Sequence, residues 1–157
     1  MIHKPIRLLQ KYFDSLNFSE LVYRVEEDGA HSCFTILVID AYGGLWPLRY
    51  IAGANSSDLQ CGVFGVAKIP DSIRVEVLEK LNEIAGHSFI KVFIDRNNEL
   101  VASSDMLLNI YGVDDELLGP TAMNILLRMT YFFREDYPEV YEIIRKTEND
   151  IGIGRKE

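Results

Sequence analysis

The side chains in this sequence whose types could do chemistry form no catalytic signature. The histidines are His3, His31 and His87, and none has a ligand companion at i,i+2 or i,i+4, the spacings that put two donors on one side of a strand or helix. No metal site is expected. Ser103-Ser104-Asp105 sets hydroxyls beside a carboxylate, but a serine nucleophile also needs a base and an oxyanion hole, and nothing marks His31 or His87 as that base. The acidic runs Asp114-Asp115-Glu116 and Glu26-Glu27-Asp28 lack the alternating spacing of a calcium loop and read as solvated loops. Gly62 and Gly65 are followed by Ala67-Lys68-Ile69-Pro70, not by the Lys-Ser/Thr pair and helix of a phosphate loop. Cys33 and Cys61 lie far apart in apolar segments with no CxxC, so buried thiols are expected, a redox pair between adjacent strands being the alternative. No catalytic residue, cofactor or metal is assigned, and the expectation is a protein that is not an enzyme.

Charge narrows the partners. Sixteen Lys and Arg against 24 Asp and Glu leave a formal charge of −8, which repels phosphate backbones and argues against nucleic acid. The apolar stretches, Phe34 to Ile39 and Ile125 to Phe133 with Arg128 inside it, fall short of the roughly 20 residues of a membrane span. The opening Met1-Ile2-His3-Lys4-Pro5 turns amphipathic and lacks a secretory pattern. A soluble, cytoplasmic protein without membrane contact is expected. The 157 residues suit one domain, placed at 5–147, with 148–157 a flexible tail carrying Gly152 and Gly154.

The elements that must position these side chains follow from periodicity. Pro5 suits a first helical turn, and Ile6, Leu9, Phe13 and Leu16 recur at steps of three and four, predicting a helix over 5–16. Turn signals at Asp28-Gly29, Gly43-Gly44 and Asn55-Ser56-Ser57-Asp58 separate four strands near 21–26, 31–40, 46–52 and 59–68. Gly62 and Gly65 in the fourth suggest a bulge or a close approach of another backbone. Pro70-Asp71-Ser72 opens a second helix that stops at Gly86. Strands near 88–95 and 99–106 form a hairpin around Arg96-Asn97-Asn98. Gly119-Pro120-Thr121 is read as the start of a long last helix, with Asp114 to Glu116 just upstream and Pro138 kinking or dividing it. The order helix, four strands, helix, two strands, helix gives an α+β fold, an antiparallel sheet with helices on one face.

Two elements are apolar on more than one side. In 31–40, Cys33, Thr35, Leu37 and Ile39 alternate with Phe34, Ile36 and Val38, so both sheet faces call for a cover. In the last helix Met123, Leu126, Leu127, Met129, Phe132 and Phe133 spread wider than the usual apolar stripe, so this helix either lies across its own sheet, with Tyr137 and Tyr141 closing the edge, or contributes to an interface. Met123, Leu126, Leu127, Met129, Phe132 and Phe133, together with Phe34, Ile36 and Val38, are the expected protein-interface residues.

The opening helix, the hairpin "VEEDGAHSCFTILV" and the Pro-led helix ending "LEKLNEIAGHSFIKVFIDRNNELVASSDML" together resemble the YbjN-like family, whose fold is similar to that of type III secretion chaperones. Leu81-Asn82 followed by Phe93-Ile94-Asp95-Arg96-Asn97-Asn98-Glu99 matches the family's helix end and hairpin. Ala85 and Asn98 depart from its second Asn and its turn Gly. The resemblance spans about 5–146 and implies a non-enzymatic protein, chaperone-like or regulatory, that binds another polypeptide, commonly as a dimer. The expected partners are therefore a second copy, as a homodimer, and an unidentified client or regulatory protein. The alternative reading is a small-molecule sensor or minor enzyme with a pocket between sheet and helices lined by Trp46, Tyr50, Phe64 and Phe93.

Overall fold

A computed structural model of the chain describes residues 1–53, 58–107 and 114–154; of the turn expected at Asn55-Ser56-Ser57-Asp58, residues 55–57 lie outside them. Helix α1 (Lys4–Leu16) carries Pro5 in its first turn, buries Ile6, Leu9 and Phe13, and stops at Asn17 in the left-handed conformation. Four strands follow, β1 (Tyr23–Asp28), β2 (His31–Ile39), β3 (Leu45–Gly53) and β4 (Asp58–Val63). A 3-10 turn at Asp71–Ile73 leads into α2 (Arg74–Ala85), and β5 (Lys91–Ile94), β6 (Leu100–Ser103) and the short β7 (Met106–Leu107) come next. The chain ends in α3 (Asp115–Tyr131), a π turn over Phe132–Asp136 and α4 (Tyr137–Gly154). The sheet is antiparallel in the order β1-β2-β3-β4-β6-β5, with β7 paired to β4. The fold is α+β, in the expected order.

Register decides the core. Phe34 stands opposite Tyr50, Ile36 opposite Leu48 and Val38 opposite Trp46, so these six share one face of the sheet. That face carries the helices. Phe13 of α1 lies 5.0 Å from Phe34, and Trp46 stacks on Phe133 at 5.1 Å. Tyr50 is fully buried, and its hydroxyl donates to the Ala122 carbonyl of α3 at 2.6 Å. A buried phenol needs such a partner, and this one ties the middle of the sheet to the middle of the helix.

Several boundaries differ from the periodicity reading, each for a local reason. β4 ends at Val63, and Gly65 turns the chain in the left-handed conformation; the chain rejoins the sheet beside β6, where the Val66 N–H donates to the Leu100 carbonyl. A Cβ on Gly62 would sit 3.0 Å from the Ala102 carbonyl, the close backbone approach expected there. The last helix begins at Asp115, so Gly119 and Pro120 are inside it and Asp115 and Glu116 form its first turn. Gly119 serves packing instead of initiation: the Tyr12 ring of α1 occupies the space its Cβ would fill. The helix opens into its π turn just before Pro138, whose ring crowds the carbonyl four residues back. The helix then continues through Gly154, beyond the expected end of the domain at residue 147.

Cys33 and Cys61 are free and buried. They sit on β2 and β4 with β3 between, and Cys61 faces the helices opposite Tyr50 while Cys33 pairs with Ile51 on the other face. Two strand spacings of about 4.8 Å and opposite orientations exclude a disulfide without rearrangement. Burial, with the Asp105 carboxylate second, pushes the Cys61 thiol far above its ordinary range, and burial does the same to the Tyr50 phenol. Both thiols should therefore resist alkylation in the native protein and react only after denaturation, as mass spectrometry would show; a recovered Cys33–Cys61 disulfide would contradict the placement.

Both raised groups also set an alkaline limit. The unfolded chain releases these protons near the ordinary thiol and phenol values, about 8.5 and 10, while the folded chain retains them. The contribution of these two groups is thus complete below about pH 8 and falls as pH rises, by up to about 1.4 kcal/mol per pH unit for each group. Urea unfolding at pH 7 to 11 should show this slope, and Tyr50→Phe should flatten its upper part.

Candidate functional site

The helices cover one face only, and the register assigns the other. Cys33, Thr35, Leu37 and Ile39 of β2 stand opposite Ile51, Arg49, Pro47 and Leu45 of β3, on the face away from α1 and α3. An antiparallel sheet with one solvated face usually shows polar residues there. Here Ile39 is 51% and Leu45 58% exposed, and Val22 and Phe64 are also exposed. The Leu37 N–H donates to the Val22 carbonyl, which extends the β1–β2 ladder and brings Val22 alongside. Val22, Leu37 and Pro47 line a shallow hollow of about 220 Å³ with Arg24 and Thr35. The result is an apolar band crossing the strands, in which Arg49 is the one charge on the β2–β3 pair.

This corrects the expected interface. Phe34, Ile36 and Val38 lie under the chain's own helices, buried, and so do Leu126, Met129, Phe132 and Phe133. Met123 is half-buried against the same core. Of the nine, Leu127 alone is open, at 61% exposure. The physical reason is parity: β2 is apolar on both faces, and its sequence does not say which face the helices take. The last helix looked too wide because its stripe runs on through the π turn; Leu118, Ala122, Met129, Phe133 and Tyr137 form one buried line.

The expected pocket of Trp46, Tyr50, Phe64 and Phe93 does not form. Tyr50 is core, and Phe64 and Phe93 belong to the uncovered face, Phe64 lying over Gly62 and Phe93 pairing with Val101. Trp46 does line a cleft, but at the end of the sheet, between the β2–β3 turn, the segment after β4 and α4. The cleft holds about 670 Å³, within the range of small-ligand sites. Its turn is built by Asp40, whose Oδ1 accepts the Tyr42 and Gly44 N–H groups at 2.8 Å and whose Oδ2 accepts the Trp46 Nε1–H at 2.8 Å. A Cβ at Gly44 would meet Asp40 Oδ2 at 2.5 Å, so any side chain there would push the Asp40 carboxylate off its hydrogen bonds. Tyr137 packs edge-on to Trp46 at 5.6 Å, and Tyr42 and Tyr141 meet at 5.3 Å across the opening. Lys68 and Arg145 stand at its rim. The Asp-x-x-Gly-Gly spacing before Trp46 is an Asx-turn signal that sequence reasoning could have used.

The other candidates have structural partners. His87 Nε2 lies 2.8 Å from Asp136 Oδ1, on a carboxylate buried in the π turn whose Oδ2 has no hydrogen-bond partner among the described residues. Asp105 accepts from the Cys61 N–H, and Ser103 is buried on β6. Asp115 pairs with Lys4 at 2.8 Å and Glu26 with Arg24 at 2.5 Å. In the β5–β6 turn Asn98 is left-handed, its Oδ1 accepts from Arg74, and Asp95 Oδ1 accepts the Asn97 and Glu99 N–H groups, which is hairpin geometry. Among the described residues no three His, Cys, Asp or Glu side chains group as a metal site, and no helix is long and apolar enough to cross a membrane. No family model and no curated protein matches the chain.

The Asp40 network makes a direct prediction. Asp40→Asn keeps one acceptor but turns an N–H₂ toward the indole donor, and should cost about 1–3 kcal/mol in unfolding followed by circular dichroism. In a double-mutant cycle with Trp46→Phe the two losses should be less than additive; strict additivity would deny the contact its role.

Proposed function

We propose that the protein is a non-enzymatic protein-binding module, chaperone-like or regulatory, that works in the cytoplasm as a homodimer through the uncovered sheet face. The observation that carries this reading is the apolar band of Val22, Leu37, Ile39, Leu45 and Pro47 on a face that, among the described residues, no helix covers.

A second copy is the occupant that fits. A chain of charge −8 opposes self-association unless the contact lies where acidic side chains are missing. The β2–β3 part of the band has no Asp or Glu, and loss of charged residues at the centre is what distinguishes interface cores from other surface. Two such faces can stack about 10 Å apart with their side chains interleaved, and a two-fold axis lets each copy present the same patch. The resemblance of the sequence to the YbjN-like family favours the same reading.

Light scattering on the purified protein is the test, with dimer mass expected at micromolar concentration. Ile39→Glu and Leu45→Glu change exposed positions, so they should leave the circular dichroism spectrum of the folded protein unchanged while weakening the dimer by about tenfold or more. A monomeric wild type, or a dimer indifferent to both substitutions, overturns the proposal.

A further inference from the structure

The aromatic cleft at the end of the sheet lies on the helix side, apart from the proposed dimer face, and has features that a packed core does not need. Its Trp46 wall is held from three directions, by the Nε1–H bond to Asp40, the 5.1 Å stack on Phe133 and the edge of Tyr137. Such a ring is fixed before anything binds, which removes the ordering cost a mobile side chain would carry. Tyr42 and Tyr141 flank the opening and are 59% and 36% exposed. Flat rings around a space of about 670 Å³ suit a planar aromatic guest.

The charge at the mouth selects the guest further. Lys68 and Arg145 both line the cleft, in a chain whose total charge is −8. Asp40 is the one carboxylate lining it, and its two oxygens already accept three hydrogen bonds, from the Tyr42 and Gly44 N–H groups and the indole. Among the described residues Lys68 has no carboxylate at ion-pair distance, and Arg145 is held only by its exposed neighbour Glu142 at 3.4 Å. An exposed i,i+3 pair of that kind is worth little and exchanges readily for another anion. We infer that this cleft binds a small planar aromatic acid, its ring against Trp46 and the tyrosines and its anionic group between Lys68 and Arg145.

Trp46 is the single tryptophan of the chain, so one indole N–H cross-peak in a nitrogen–proton correlation spectrum reports on the cleft. Titration with 2-naphthoate should move that peak saturably. The neutral isostere 2-naphthamide and the non-aromatic cyclohexanecarboxylate should each bind about tenfold more weakly or worse. Lys68→Ala with Arg145→Ala should weaken 2-naphthoate to the level of 2-naphthamide and leave 2-naphthamide unchanged. An indole peak unmoved by millimolar 2-naphthoate, equal binding of the acid and the amide, or a double variant that binds the acid as the wild type does would each overturn the assignment. The same titration on Ile39→Glu should give the wild-type result, which separates this site from the dimer face.

Discussion

The pairing of Phe34 with Tyr50 across β2 and β3 organises most of what this molecule presents to its surroundings. Side chains alternate faces along a strand, so a slip of one residue would exchange the two faces completely. With Phe34, Ile36 and Val38 turned inward, α1 and α3 find a continuous apolar floor, and the Tyr50 hydroxyl reaches the Ala122 carbonyl to lock helix to sheet. The same register necessarily turns Leu37 and Ile39 outward with Pro47 and Leu45 opposite them. The uncovered band is thus the complement of the core, set by the same hydrogen bonds.

Close packing of the helix layer depends on two departures from regularity. Gly119 lets the Tyr12 ring lie against α3, so α1 can approach closely enough for Phe13 to reach Phe34. The π turn before Pro138 accommodates the proline while keeping Phe132, Phe133 and Tyr137 on the buried side. Phe133 and Tyr137 are also the supports of Trp46. The cleft is therefore a by-product of where the last helix opens, and its rigidity comes from the core beneath it together with the Asp40 turn. The apolar band and the cleft lie on opposite sides of one sheet and meet at the β2–β3 turn, where Ile39 and Leu45 flank Asp40 and Gly44.

Sequence reasoning read the elements well where local chemistry decides them. Pro5 and the spacing of Ile6, Leu9 and Phe13 placed α1, the Asn97-Asn98 turn placed the β5–β6 hairpin, and Gly62 marked a close backbone approach. Both faces of β2 are apolar, as its sequence shows, and the helices lie on one of them. Sequence reasoning assigns Phe34, Ile36 and Val38 to an interface where the structure buries them, because the choice between two apolar faces is made by other elements. It misread Gly119-Pro120 as a helix start because a glycine needed for a neighbouring ring looks, in sequence, like a glycine needed for a turn.

The composition, the turn residues and the periodicities by themselves determined an acidic α+β domain with helix, strands, helix, strands and helix in that order, since these depend on charge, backbone preference and local spacing. Tertiary structure alone decided which side of β2 became core, that Cys33 and Cys61 point away from one another, and that Trp46 meets Tyr42, Lys68, Tyr141 and Arg145 at one opening. Those outcomes rest on strand register and on contacts between residues as much as about 100 positions apart, and no local preference of the chain encodes such contacts.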